Sequence, residues 1–171
     1  YEQDISPFAY NFVSSLDFYQ EKHEALSKLP NLAFIYERVM ALEPMKDGAK
    51  VITDKGSYTA EYVFNSVLFP PQRKKSREIF LKQHFYGWFI KTDKPYFDKE
   101  VMSLMDFRIE QENDVRFVYV LPTSEDQALI EFTIFSSEEW DRDTYKAHLK
   151  DYLTEYYPDL SFEVLSEEVG I

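Results

Sequence analysis

Alternation of apolar and polar residues across positions 104–135 constrains the fold of this chain more than any other feature. A period of two places alternate side chains on opposite faces of a strand, so the stretch predicts three antiparallel strands. Tight turns are predicted at residues 112–114 and 123–126, because Asn, Asp and Ser tolerate turn backbone. The chain is therefore expected to contain a three-stranded meander.

Folding both turns symmetrically predicts which side chains share a face. The residues expected on the apolar, core-facing side are Phe107, Ile109, Phe117, Tyr119, Ile130 and Phe132. On the opposite face Arg108, Val118 and Glu131 fall in one row. Neighbouring strands lie about 4.8 Å apart, which puts the backbones of Arg108 and Glu131 roughly 10 Å apart. Long side chains can span that distance, so a structural ion pair between these two residues is one interpretation.

The rest of the chain predicts two helices and further strands. Ser14 or Ser15 can cap a helix that ends before Pro30, and Ser136 with Glu139 has the spacing of a capping box for a second helix. The other predicted strands cover residues 8–13, 32–42, 49–53, 58–67, 79–92 and 160–169. Residues 70–75 form a basic loop. These elements predict an α+β fold: a mainly antiparallel sheet with two packed α-helices.

Length and charge limit the classes of function. At 171 residues the chain has the size of one domain. Its net charge of −12 argues against binding to nucleic acid, and against general adhesion to anionic membranes. The absence of cysteine excludes disulfides and thiolate metal sites, and it fits a reducing compartment. Because the sequence starts at Tyr1 rather than Met, we expect a piece of a longer protein. Within the sequence, no stretch resembles a signal peptide or a transmembrane run.

Several familiar catalytic and cofactor motifs are missing. The four glycines, which form neither a dinucleotide-binding nor a phosphate-binding loop, are Gly48, Gly56, Gly87 and Gly170. The histidines lack ligand spacing, so no metal site is expected. Gly87 lies inside a predicted aromatic strand, which indicates either a bulge or a close approach by another group. The acidic pair at residues 167–168 is expected on the solvated surface.

Three segments of the meander carry a family resemblance: MDFR at 105–108, RFVYVLP at 116–122 and LIEFT at 129–133. With QHFYGW at 83–88 and KPYFD at 94–98 upstream, the chain resembles the lycopene β-cyclases, which are carotenoid-cyclising flavoproteins. YNFVSSLDFY at 10–19 and YTAEYVFNSV at 58–67 extend the resemblance to nearly the whole chain. It implies the substrate domain of a flavoprotein that lacks its Rossmann glycine motif. Residues 1–69 would partly flank the flavin domain, and 79–171 would supply the substrate-domain sheet and helix.

The resemblance also implies a reaction and its surroundings. Lycopene β-cyclases convert the ψ-ends of lycopene to β-ionone rings by protonation and carbocation ring closure, without net redox change. Reduced FAD is implied for the full-length enzyme, but neither flavin binding nor activity is expected of this fragment alone. The implied location is cytoplasmic and peripheral at the membrane, where a polyene substrate resides.

A short acidic motif of the family provides the main site candidate. Glu131 matches its first acidic residue and Thr133 its threonine, whereas Phe132 occupies its second acidic position. Partial burial would raise the pKa of the Glu131 carboxyl towards general-acid strength. Asp106 and Arg108 are the further catalytic candidates. The substrate-binding candidates are Phe85, Gly87, Trp88 and Thr133.

Two other functions remain open from the sequence. One is a different flavin-dependent enzyme, such as a monooxygenase or halogenase acting on an apolar substrate. The other is a non-catalytic module that binds a polyene or lipid, with the aromatic strand lining its pocket.

Overall fold

The computed structural model describes residues 3–67 and 79–171. The predicted α+β class is confirmed, since these residues form two helices and two antiparallel sheets. They belong to two compact units, residues 1–74 and 75–171, where length alone indicated one domain. The predicted basic loop at 70–75 lies outside the described residues.

The first unit contains one helix and a three-stranded sheet. Helix α1 spans Ser15–Ser27, and the Ser14 hydroxyl caps it by accepting a hydrogen bond from the Asp17 amide at 3.4 Å, as predicted. The strands, paired in the order β1-β2-β3, are β1 Val39–Met45, β2 Gly48–Thr53 and β3 Ser57–Ala60. Gly48 opens β2 at φ +130°, and a Cβ there would collide with the Ala60 carbonyl.

Three strand predictions in this unit are wrong in whole or part. Residues 8–13 form no strand, the strand predicted at 32–42 begins only at Val39, and the one predicted at 58–67 ends at Ala60. The side chains of residues 8–13 are exposed. Alternating apolar residues do not form a strand unless another strand supplies backbone hydrogen bonds.

The second unit is a five-stranded antiparallel sheet with a helix on one face. The strands are β4 Lys82–Thr92, β5 Ser103–Asp106, β6 Val115–Pro122, β7 Gln127–Ser136 and β8 Phe162–Gly170, in the order β5-β6-β7-β4-β8. The predicted meander is thus confirmed as β5-β6-β7. Its first strand is shorter than predicted, because Met105 adopts φ 55° and the β5–β6 register shifts there.

The predicted register between β6 and β7 is wrong by one residue. Tyr119 pairs with Glu131, and Val118 pairs with Phe132. The cause is the turn, where the amides of Thr123 and Ser124 both donate to the Gln127 carbonyl, at 2.9 and 3.3 Å. The tip therefore has three residues rather than four. A one-residue slip exchanges the faces of a strand, so β6 turns Val118 and not Phe117 or Tyr119 towards the main core.

Helix α2, Arg142–Tyr156, packs its apolar side on the sheet. Its N-cap lies five residues after the predicted Ser136: Asp141 is the N-cap and accepts hydrogen bonds from the Asp143 and Thr144 amides at 3.0 Å. Ser136 cannot serve as the cap because it ends β7 and its hydroxyl donates to the Glu138 carbonyl. The fully buried core residues include Tyr86, Ile90, Val118, Ile130, Phe132, Ile134 and Leu149.

Candidate functional site

Glu131 lies on the sheet face opposite α2. Its neighbours along β7, Ile130 and Phe132, belong to the α2 core, and strand alternation sends Glu131 the other way. Thr133 shares its side, since the threonine hydroxyl donates a hydrogen bond to Glu131 Oε1 at 2.7 Å. We call this side of the sheet the Glu131 face.

A row of four residues crosses the sheet at Glu131. Tyr119 of β6 pairs with Glu131 of β7, Glu131 pairs with Gly87 of β4, and Gly87 pairs with Glu168 of β8. A Cβ on Gly87 would lie 3.1 Å from Glu168 Cγ, 3.3 Å from Glu168 Oε1 and 3.1 Å from Leu129 Cδ1. The Glu168 side chain therefore occupies the space above Gly87, between its own strand and Glu131.

The surroundings of Glu131 favour its protonated form. Burial raises the pKa of the Glu131 carboxyl to about 7; the Thr133 hydrogen bond opposes this rise, and the Glu168 carboxylate adds to it as a hydrogen-bond acceptor and as a like charge. A carboxyl group with this pKa is present in both protonation states near neutral pH. It can therefore act as a general acid.

Aromatic rings share the Glu131 face. The Phe117 ring lies 5.3 Å from the Tyr119 ring, 5.3 Å from the Phe107 ring and 6.2 Å from the Phe135 ring, measured between centroids. Phe117 is almost fully buried, and Tyr119 is half-buried beside Glu131. Ring faces stabilise nearby cations, so this cluster suits a site in which positive charge develops.

The structure brings together three of the four predicted substrate-binding residues. Gly87 and Thr133 adjoin Glu131, and Phe85 pairs with Thr133 while its half-buried ring contacts Gly170. Trp88 does not belong with them. It pairs with Ile130 and is buried in the α2 core, where its ring centroid lies 6.3 Å from that of Phe162. Alternation along β4 therefore turns Trp88 away from the Glu131 face.

Asp106 and Arg108 lie apart from Glu131, against α2. Asp106 Oδ2 contacts Arg108 Nη2 at 2.5 Å and accepts a hydrogen bond from the Tyr152 hydroxyl at 2.8 Å. The Arg108 guanidinium lies 4.2 Å from the Tyr156 ring centroid. The predicted row of Arg108 with Glu131 is therefore wrong, and so is the interpretation of these two residues as an ion pair, because Arg108 is bound to Asp106 and contacts Tyr156 of α2.

This pairing also sets the protonation state of Asp106. The hydrogen bonds from Arg108 hold the pKa of the Asp106 carboxyl below its usual range, against the effect of burial. Asp106 is consequently ionised at neutral pH and has no proton to donate. Its hydrogen bond from Tyr152 links β5 to α2, which is a structural role.

Sequence reasoning missed Glu168. It is exposed, as predicted for the acidic pair at 167–168, yet it reaches over Gly87 towards Glu131. The available signal was Gly87 itself, since a glycine inside a strand indicates close approach of another group. Identifying that group required the β4–β8 register, which contains a shift between Phe89 and Ile90.

Residues 3–67 and 79–171 offer little for a cofactor or metal. Their glycines serve a β-turn and strand positions and form no phosphate cradle, so this part of the chain does not fit the phosphates of a flavin. Across the same residues, no group of three His, Asp or Glu side chains could hold a metal ion. Neither described helix has the length and apolar character needed to cross a membrane.

Comparison with known families identifies the chain's relatives. The model of the family described as "Lycopene cyclase protein" matches residues 2–171. No curated protein and no solved structure matches the chain. The match covers both compact units.

Proposed function

Because the chain belongs to the lycopene cyclase family, we propose that it supplies the substrate domain of a lycopene β-cyclase, with Glu131 as the acid that starts ring closure. Family membership supports a carotenoid cyclase in general. The observation that carries the finer proposal is the half-buried Glu131 carboxyl, whose pKa is about 7, in the acidic position of the LIEFT segment.

The proposed reaction conserves atoms and electrons. Protonated Glu131 gives its proton to the terminal double bond of a lycopene ψ-end, whose π electrons form the new C–H bond. The resulting tertiary cation is attacked by a second double bond of the same chain, which closes the ring. One proton then passes from a ring carbon to the Glu131 carboxylate, which restores the neutral acid and leaves a β-ionone ring isomeric with the starting end.

The surrounding residues would assist this acid in distinct ways. Thr133 fixes the Glu131 carboxyl by its 2.7 Å hydrogen bond. Phe117 and Tyr119 offer ring faces to the developing cation and keep water, which would trap it, away from the polyene. These roles require no redox chemistry from the chain.

Cofactor and location stay part of the proposal. Reduced FAD is proposed for the full-length enzyme, but the described residues do not fit its phosphates, and each proton step above uses protein groups alone. A polyene dissolves in the bilayer, so we propose peripheral membrane association from the cytoplasmic side.

The test is product analysis in a lycopene-accumulating host that expresses the full-length protein. Wild type should replace lycopene with carotenoids bearing β-ionone rings. Glu131→Gln should lower ring formation at least about a hundredfold, the effect of one acid–base group. Glu163→Gln is the matched control, because Glu163 is an exposed glutamate on β8, and it should behave as wild type.

The alternatives predict other pigments. Oxygenated or halogenated products would indicate another flavin-dependent enzyme, and unchanged lycopene with normal protein yield would indicate a binding module. Near-wild-type ring formation by Glu131→Gln would contradict the assignment of the acid.

A further inference from the structure

We infer that Glu168 is a positioning residue for the proposed acid: across the gap left by Gly87 it shares a proton with Glu131 and keeps that proton available at neutral pH. The inference rests on the proposed function for its catalytic meaning. The contact between the two carboxyl groups can be tested without it.

The first argument is steric. Gly87 lies between Glu131 and Glu168 in the same cross-strand row. Because it has no side chain, the Glu168 carboxylate can lie over β4, with Oε1 only 3.3 Å from where a Gly87 Cβ would be. Any larger residue at this position would compete with Glu168 for that space.

The second argument concerns where a second carboxyl group can come from. In the LIEFT segment the residue after Glu131 is Phe132, and it faces the α2 core. Adjacent strand residues face opposite sides, so no side chain at position 132 could stand beside Glu131 on its own face. A partner on that face must come from a neighbouring strand, and β8 supplies Glu168.

The third argument is electrostatic. Glu168 faces Glu131 from β8, while Tyr119 faces it from β6 and Thr133 and Leu129 lie on its own strand. Of these, Glu168 alone carries a carboxyl group. The adjacent Glu167 has the opposite orientation and pairs with Lys146 of α2 at 2.8 Å. Two close carboxyl groups disfavour double ionisation, so a single proton is retained between them.

The test compares Glu168→Gln with wild type in the full-length protein. Removing the Glu168 charge should lower by about one pH unit the apparent pKa that governs the loss of ring formation at high pH. Since activity follows the protonated fraction, the rate should fall about tenfold at pH 8 and less than twofold at pH 5. Glu163→Gln on the same strand should leave the profile unchanged. A rate loss that is equal at both pH values would overturn the inference.

A second readout is independent of activity. Carbon-13 NMR of glutamate carboxyl groups, with the Glu131 signal assigned through Glu131→Gln, should show Glu131 titrating at lower pH in Glu168→Gln than in wild type. Glu168→Asp retains the charge on a shorter side chain and should restore most of the wild-type titration. An unchanged Glu131 titration in Glu168→Gln would refute the contact. A shifted titration combined with an active Glu131→Gln would instead reject Glu131 as the acid and leave the carboxyl pair intact.

Discussion

Replacing Glu131 by glutamine should make the protein more stable at neutral and alkaline pH, although it removes the proposed acid. The folded state raises the pKa of the Glu131 carboxyl from 4.5 to about 7, mainly by burial. The folded protein therefore holds this proton more tightly than the unfolded chain does. Its contribution to stability is fully present below pH 4.5 and is lost as the pH rises through about 7.

The size of the effect follows from the two pKa values. A change from 4.5 to about 7 corresponds to roughly 3 kcal/mol between the protonated and ionised forms. Glu131 is only half-buried, and solvent around the carboxyl reduces this to about 1–2 kcal/mol. Glutamine stays neutral at every pH, and its amide oxygen can still accept the Thr133 hydrogen bond. The variant should therefore exceed wild type by about 1–2 kcal/mol at pH 8 and match it near pH 4.5.

Chemical denaturation of the full-length protein from pH 4.5 to 8 would measure this difference. The buried His84, whose pKa is lowered mainly by burial, also makes the stability depend on pH, and its contribution is lost as the pH falls. It is present in both proteins and cancels in the difference between them. Glu163→Gln should show no such pH-dependent gain. If Glu131→Gln is less stable than wild type at pH 8, the carboxyl is stabilised as an anion and the reasoning is wrong.

Two further substitutions separate chemistry from folding. Gly87→Val should abolish ring formation while soluble yield stays near normal, because a Cβ at this position would lie 3.1 Å from both Glu168 Cγ and Leu129 Cδ1 and the valine would displace these side chains. Equal loss of activity and yield would make Gly87 a purely structural residue. Asp106→Asn should lower stability by about 1–3 kcal/mol in denaturation curves, since it weakens the contacts to Arg108 and Tyr152, and product analysis should show ring formation within about twofold of wild type. A hundredfold loss of activity in a stable Asp106→Asn protein would return Asp106 to the active site.

The sequence was most informative where the structure depends on local interactions. The meander, the Ser14 cap and the half-buried position of Glu131 on β7 follow from alternation and turn chemistry within a few residues. The β6 register was missed because one carbonyl, that of Gln127, accepts from two amides and shortens the turn tip. Apolar alternation alone does not distinguish a three-residue tip from a four-residue one.

The site depends on long-range pairing, and this explains what the sequence left out. Gly87 and Glu168 are far apart along the chain, and they meet only because β8 returns to pair with β4. The resemblance to a family identified Glu131 through a local motif. The glutamate beside it belongs to no such motif, and strand pairing alone reveals it.

Because β8 contains two consecutive glutamates, a slip of this strand by one residue would still place a glutamate opposite Gly87. Glu168 lies opposite Gly87, and Glu167 is the preceding residue on the other face. If β8 slipped by one position so that Glu167 lay opposite Gly87, Glu168 would lie opposite Tyr86, whose ring is 5.8 Å from Lys146 Nζ. Each face would again carry one carboxylate. The slip would therefore exchange two chemically identical side chains, and the shift between Phe89 and Ile90 is the feature of this strand pair that distinguishes the two alignments.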